Sequence, residues 1–270
     1  MTLPGSAAAN RQRAAYDRIY ASSGLHEKTK FYRWVTKNLR LACGCRLLDV
    51  ACGEGGMLRE APAFSVDAVG VEISMEAIKR IKKGMPQARV ILGDAESLPV
   101  SASSVDAVTC LGSIENFAKP LQSLREIYRV LKPGGVFATL VPNIYFAGDV
   151  LQALRCAEEQ KPFQRYERAA SPRQWKQLLS MQGFSIERMH GYVKTAPLFR
   201  EGRLRSLKKF IGSHLLAALC PTNLAWSVLL VGRKTTPPSS GVPEPAWVWR
   251  VEWAYPGKPE LLQEALESHE

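Results

Sequence analysis

Between residues 46 and 142, five short apolar runs alternate with amphipathic stretches, and this alternation restricts the chain more than anything else in it. RLLDVA (46–51) is an apolar run stopped by Gly53 and Gly55, the pattern of a buried strand. A helix starts at Met57–Glu60, and VDAVGVEI (66–73) follows as a second strand. Ser74 is an N-cap candidate for a helix over Met75–Lys83. RVIL (89–92) and VDAVTCL (105–111) read as the third and fourth strands. A helix over Leu121–Leu131 ends at Lys132-Pro133-Gly134-Gly135, and VFATLVP (136–142) is the fifth strand. Each strand is mainly apolar without strict alternation, as expected of a strand covered on both faces. Strands and helices in strict alternation predict a parallel sheet covered by helices on both sides.

The flanks add helices and change the charge. Arg11–Ser22 and Glu27–Leu41 read as helices; in the second, Phe31, Trp34, Val35, Leu39 and Leu41 fall near one face. After Pro142 a long helical stretch runs over about 147–182, and FSIERMHGY (184–192) and LAWSVLLVG (224–232) read as two closing strands. TTPPSSGVPEP (235–245) has the composition of a linker. AWVWRVEW (246–253) alternates as a strand with Trp247, Trp249, Val251 and Trp253 on one face, and an acidic helix or frayed end follows. The expected organisation is a helical cap over 1–45, a ligand-binding domain over 46–234 with lid insertions at about 143–183 and 193–223, and a linker with a C-terminal extension over 235–270. Of the net charge of +11, residues 46–142 contribute nothing, with 11 basic and 11 acidic side chains. Residues 1–45 carry +6, 143–234 carry +9 and 235–270 carry −4. Positive flanks attract an anionic substrate, a nucleic acid or an anionic membrane, or are simply a solvated surface.

Composition excludes several classes. With 46% hydrophobic and 23% charged residues the chain is neither fibrous nor wholly disordered. The apolar stretches Leu215–Cys220 and Leu224–Val231 are split by Pro221, Thr222 and Asn223, short of the ~20 residues that span a bilayer. The first twenty residues lack an apolar run of signal-peptide type. The six cysteines, at 43, 45, 52, 110, 156 and 220, follow no zinc spacing, and no metal site is expected. The expectation is a reduced, cytoplasmic protein.

Ligands of open α/β sheets bind beyond the carboxyl ends of the strands, so the residues just after each strand carry the chemistry. The first strand is followed by Asp49-Val50-Ala51-Cys52-Gly53-Glu54-Gly55-Gly56, whose glycines let backbone turn tightly and approach a ligand. Glu72 ends the second strand, 19 residues after Gly53, the separation at which an acid can accept both hydroxyls of a ribose. Asp94 and Ala95 follow the third. A dinucleotide would want a third loop glycine, where Leu58 stands, and no acids near its pyrophosphate, where Glu54 and Asp49 stand. The acids suit instead a ligand with a ribose, an adenine amine, a free ammonium and a positive sulfur.

At this point the chain resembles the class I S-adenosylmethionine (SAM) dependent methyltransferases, and within them the small-molecule branch of the type 11-like group. LLDVACGEGG is similar to the family's glycine-rich first motif, VGVEIS to its acidic second-strand motif and GDAESLP to its adenine motif. CLGSIENF and RVLKPGG resemble the segments around the fourth and fifth strands. The resemblance implies an α/β fold, a doubly wound, Rossmann-like, mostly parallel seven-stranded sheet with helical cap and lid insertions. It implies SAM as cofactor, leaving as S-adenosylhomocysteine (SAH). By position, Ala51, Gly53 and Gly55 should lie beside the methionyl part, and Asp49 should orient that loop or receive the ammonium. Glu72 should take the ribose hydroxyls with Ile73 against the adenine, Asp94 the adenine amine with the Ala95 N–H at the ring, and Leu111 with Gly112 the sulfonium end. Tyr16-Asp17-x-x-Tyr20 is similar to a first-helix segment in which a tyrosine closes over the cofactor, and Tyr20 is the candidate.

Methyl transfer from a sulfonium is an in-line displacement that needs mainly orientation and exclusion of water, with a base only where the acceptor must lose a proton. Catalytic candidates are Glu115 and Asn116, with Tyr145 after the fifth strand. Related sequences often carry a histidine where Asn116 stands, and an amide is no base. His190 reads as structural, in a strand, and His26 as a loop residue near the cap. Phe146, Leu151, Leu154, Phe163, Tyr166 and Trp175 are available to line an apolar acceptor pocket. In residues 200–219, Leu204, Leu207, Ile211, Leu215 and Leu219 share a helical face behind Arg203, Arg205, Lys208 and Lys209, a pattern for peripheral membrane contact or for a helix packed on its own domain. Three functions compete: methylation of a small-molecule natural product, metabolite or lipid-like acceptor, with or without a negative charge; methylation of RNA through the basic flanks, for which no RNA-binding module or basic-aromatic motif speaks; and a non-catalytic SAM-fold interaction protein.

Overall fold

The computed structural model describes residues 7–22, 24–25, 27–145, 166–193, 199–200, 203–204, 215, 220–235, 237 and 249–252. Its centre is a seven-stranded sheet with strands β1 (Arg46–Val50), β2 (Asp67–Glu72), β3 (Arg89–Leu92), β4 (Val105–Leu111), β5 (Leu131–Pro142), β7 (Phe184–Tyr192) and β10 (Ser227–Lys234). Their order across the sheet is β3-β2-β1-β4-β5-β10-β7. The first five are parallel, while β10 runs antiparallel to both neighbours. The sequence order reverses between β1 and β4, which places the topological switch, and the crevice a ligand enters, at the carboxyl ends of those two strands.

Alternate side chains go to opposite layers. Leu48, Val50, Val108 and Phe137 pack with Leu124 and Ile127 of helix α5 (Pro120–Val130) and Trp175 and Leu178 of α6 (Pro172–Met181). Leu47, Ala107, Leu140, Leu229 and Val231 pack on the other side with Phe31, Val35 and Leu39 of α2 (Thr29–Leu39) and Met57 of α3 (Gly56–Glu60). Helix α1 (Ala7–Ser22) docks on α4 (Met75–Gly84) through Asp17, whose Oδ1 accepts from Ser74 Oγ at 2.5 Å and from the Glu76 N–H at 3.1 Å. Ser74 caps the same helix by accepting from the Ala77 N–H, as its position before the amphipathic run predicts.

Several boundaries differ from the sequence reading. Helix α5 stops at Val130, and Lys132-Pro133-Gly134-Gly135 lies inside β5 as an irregularity: Leu131 pairs with Val105, yet Val136 pairs with Ala107. Pro133 cannot donate to a ladder and Gly134 adopts φ +71°, so the segment bulges instead of turning. Trp175, one of the apolar residues available to a pocket or to the core, is 1% exposed in the core and donates from Nε1 to the Pro142 carbonyl at 3.0 Å. The expected helix over 200–219 begins instead as a short hairpin, β8 (Phe199–Arg200) with β9 (Arg203–Leu204); residues 205–214 and 216–219 lie outside the described residues. So do His26, Phe146, Leu151, Leu154 and Phe163. Trp249–Glu252 is a strand, β11, as its alternation predicts, and pairs with β6 (Tyr166–Ala169). Among the described residues no helix is long and apolar enough to cross a membrane, and no His/Cys/Asp/Glu group is placed to hold a metal.

Candidate active site

The sequence candidates gather along one edge of the sheet because each follows a strand of the switch region. Asp49 lies one residue before the end of β1, 4% exposed, directly opposite Thr109 of β4. Thr109 Oγ1 donates to Asp49 Oδ1 at 2.6 Å. Burial pushes the Asp49 carboxyl up to about 7, with the Thr109 bond opposing the shift and the charge of Glu72 adding to it. Thr109 was not picked out from the sequence; a lone polar residue inside the apolar run VDAVTCL was the available signal.

Beyond β1 the chain turns sharply. Ala51 sits at φ +56°, a left-handed conformation that costs a residue with a Cβ about 1–2 kcal/mol. Gly53 and Gly55 are left-handed too. A Cβ on Gly53 would stand 2.9 Å from the Tyr20 hydroxyl, so the absence of a side chain here makes room for the tyrosine above the loop. The loop is fixed to β2 by the Gly53 N–H, which donates to Glu72 Oε2 at 2.8 Å. The other Glu72 oxygen accepts from the Ser74 N–H at 2.9 Å. Glu72 is 3% exposed, and its pKa is raised: burial outweighs the stabilising bonds from Ser74, Gly53 and Ile73. Each carboxylate oxygen can accept more than one donor, so capacity for further hydroxyl groups remains.

The residues expected against the ligand are half-buried, lining the groove above the buried acids. Ala51, Gly53, Ile73, Asp94, Leu111 and Gly112 are all of this kind, while Ala95 is buried. Asp94 Oδ1 accepts from the Glu96 N–H at 2.9 Å, which leaves its other oxygen available. Glu54, the loop acid, is bound by Arg80 at 2.7 Å at the start of the cover.

The cover is α1. Tyr20 is 4% exposed and its hydroxyl is pushed well above the ordinary phenol range by burial and then by the charge of Glu72. Tyr16 is pushed up by burial, with the charges of Glu72 and then Glu115 adding to the effect. Gln12 Nε2 donates to the Asn116 carbonyl at 3.3 Å. Glu115 and Asn116 occupy a short 3₁₀ turn, Ile114–Asn116, after β4, and are 5% and 8% exposed. Asn116 Nδ2 donates to the Gly112 carbonyl at 3.4 Å, and its buried Oδ1 has no partner. Tyr145 is 57% exposed, away from this enclosed group. Tyr16 and Gln12 complete the site without having been predicted as ligand contacts; only α1's docking through Asp17 brings them there.

The donor set fits the nucleoside sulfonium expected from the sequence. Buried carboxylates at Asp49 and Glu72 converge on a loop stripped of side chains at Gly53, and a phosphate-bearing ligand would meet both charges.

Comparison with known proteins agrees. A methyltransferase domain family model matches residues 48–139. A demethylmenaquinone methyltransferase of Symbiobacterium thermophilum is 30% identical over 191 residues, 67% of this chain and 69% of that protein. One from Staphylococcus saprophyticus is 31% identical over 131 residues, and there the match spans 56% of the relative's length. Among solved structures, the [4+2]-cyclase SpnF superposes with a TM-score of 0.58 at 21% identity, covering 83% of this chain and 95% of that one. A SAM-dependent methyltransferase of Thermotoga maritima, described as a possible histamine N-methyltransferase, gives 0.56 at 18%, covering 84% and 99%. These structural likenesses show the fold; the family follows from the sequence matches and the site together, and the chain belongs to the class I SAM-dependent methyltransferases, with SAM as its methyl donor.

Proposed function

We propose that the protein methylates a small, largely apolar acceptor held under α1. The observation that supports this reading is the cover: Tyr20 lies against Gly53, the buried Tyr16 feels the charges of Glu72 and Glu115, and Gln12 is bonded to Asn116, an arrangement that favours a small acceptor over a polymer. An RNA helix cannot enter such a site without displacing α1, whereas a flat ring or a lipid headgroup can. Relatives that act on demethylmenaquinone, an apolar ring compound, point the same way.

SAM supplies an activated methyl group on a cationic sulfur. The work of this chain is orientation and the exclusion of water. Asp49 receives the ammonium and Gly53 and Gly55 admit the methionyl chain. Glu72 takes the ribose hydroxyls, Ile73 packs on the adenine, and Asp94 with the Ala95 N–H reads its edge. Leu111 and Gly112 flank the sulfur. On the acceptor side, the orphan Oδ1 of Asn116 accepts a hydrogen bond from an acceptor hydroxyl or amine and aligns its nucleophilic atom. Glu115, its neighbour in the same turn, would take the proton where the acceptor must release one.

The experiment is transfer of labelled methyl from SAM into a small-molecule extract, with the product identified by mass. A labelled product that is lost in Asn116→Ala and Glu115→Gln supports the reading. Label appearing only in RNA, or only after α1 is removed, overturns it.

A further inference from the structure

The second feature lies on the flank of the domain, away from the groove. FSIERMHGY reads as one regular strand, which would put Phe184, Ile186, Arg188, His190 and Tyr192 on a single face. The structure breaks that row. The pairing of β7 with β10 shifts register between Val231 and Gly232: Gly232 pairs with Ile186, but Val231 pairs with Arg188. Phe184 and Ile186 enter the core under α5 and α6. Arg188, His190 and Tyr192, opposite Val231, Leu229 and Ser227, turn to the face covered by α2. Gly232 makes the bulge possible, since a Cβ there would collide with the Ser185 carbonyl oxygen.

The bulge thus turns the cationic side chain of Arg188 and the imidazole of His190 from an edge strand toward α2. His190 lies edge-on to Trp34, ring centroids 6.4 Å apart. Arg40, at the C-cap of α2 with φ +52°, and Arg188 are close enough that both hold the imidazole pKa down, after burial. Arg188 Nη1 and His190 Nε2 are buried and have no hydrogen-bond partner. No carboxylate among the described residues pairs with Arg40, Arg188 or His190, and Glu187, on the opposite face, is bound by Arg233 at 3.1 Å. Buried donors without partners are costly, and clustered positive charge adds to the cost. Two guanidinium groups and an imidazole approaching from a helix end and a strand suit a tetrahedral dianion better than a planar carboxylate.

We propose that the groove between α2 and β7, formed by Arg40, Arg188, His190 and Trp34, binds a phosphoryl group. It lies on the far edge strand of the sheet, three strands from β4, and so outside the methyl-transfer site. The phosphoryl group belongs either to a soluble phosphomonoester or to a lipid headgroup, and one experiment separates them.

The full chain loaded with SAH is titrated with inorganic phosphate while the imidazole resonances are followed by NMR, His190 being assigned with His190→Gln. Phosphate should move the His190 signal saturably, and acetate at equal concentration should not. Arg188→Gln and Arg40→Gln should each weaken the effect about tenfold, the loss of one charge-assisted bond, whereas Arg233→Gln should leave it intact. In parallel, vesicles of phosphatidylcholine with phosphatidic acid are sedimented with the protein against pure phosphatidylcholine. Sedimentation that requires phosphatidic acid and Arg188 assigns a headgroup; an NMR response without sedimentation assigns a soluble phosphate. No response in either arm, an equal response to acetate, or a response undiminished in Arg188→Gln while SAH affinity is unchanged overturns the site.

Discussion

Asp49→Asn should make the ligand-free protein more stable at alkaline pH while removing its grip on SAH. The folded protein holds the Asp49 proton up to about pH 7, whereas the unfolded chain releases it near 3.8. Between those values the folded state binds more protons than the unfolded one, so stability falls as pH rises and levels off above 7. The full separation corresponds to a ceiling of roughly 4 kcal/mol at 1.36 kcal/mol per pH unit. Relaxation around the charge lowers it, and roughly 2–4 kcal/mol is the expected range. Asparagine keeps the shape and can still accept from Thr109 Oγ1, but carries no charge. About two of the pH units that separate the two states fall between pH 5 and pH 8, so the melting temperature of the variant relative to the native chain should climb by about 3–10 °C over that interval, on the scaling for domains of this size.

The ligand reverses the comparison. An ammonium group against Asp49 stabilises the ionised form, so stabilisation of the native chain by SAH should grow across the same interval and be nearly absent in the variant. Thermal melts at several pH values, with and without saturating SAH, give all four curves. If the gap between variant and native chain does not change with pH, the buried charge is not where the structure puts it, and the assignment of the ammonium to Asp49 fails with it.

Three other outcomes follow from the same geometry. Glu72→Gln turns an acceptor into a donor facing the Gly53 or Ser74 N–H and weakens the hold on the ribose, so calorimetry should show SAH affinity down about 30–100-fold, roughly 2–3 kcal/mol; a change under threefold removes Glu72 from the cofactor site. Gly70→Ala drives a Cβ to 2.5 Å from Cys52 Sγ in the glycine loop. It should cost about 1–3 kcal/mol in urea unfolding, and Cys52→Ala should rescue it; an unrescued loss places the strain elsewhere. Ser171→Ala breaks the capping box with Gln174 at the start of α6 and should cost about 1 kcal/mol with turnover unchanged, read from the denaturation midpoint beside a methyl-transfer rate.

The parallel half of the sheet is legible because it is redundant. Each of β1, β2, β3 and β4 is a mainly apolar run bounded by glycine, a cap or an acid; β1 and β4 are buried on both faces, while β3, at the sheet edge, is only partly covered. The acids at its carboxyl edge are legible for the same reason, since Asp49 and Glu72 interrupt apolar segments that otherwise exclude charge. What was not legible depends on pairing between distant strands. Nothing in FSIERMHGY announces that Ile186 and Arg188 face opposite ways; that is decided by which residues of β10 they meet and by the space left at Gly232. Trp175 could serve a pocket or the core, and composition cannot separate the two uses; its indole donates to the Pro142 carbonyl from the core. Tyr16 and Gln12 reach the site only through Asp17, whose bond to Ser74 joins segments 57 residues apart.

The two sites are opposite answers to one electrostatic problem. At the site, burial raises the proton affinity of Asp49 and Glu72, the charge of Glu72 adds to the effect on Asp49, and backbone N–H groups from Gly53 and Ser74 offset only part of the cost at Glu72. On the flank, Arg188 and Arg40 press on His190, and among the described residues no acid is paired with them. Neither arrangement is the cheapest one for a folded chain, because exchanging one acid for one base between the two would relieve both. A domain whose residues 46–142 balance 11 basic against 11 acidic side chains has the charges needed for such pairing, and elsewhere uses them that way, as in Arg33–Glu60 and Arg129–Glu126. Where burial and like charge persist together among the described residues, a ligand of opposite charge is the natural counter-ion. On the proposed reading that ligand is a cationic nucleoside for the acids and an anion for the bases.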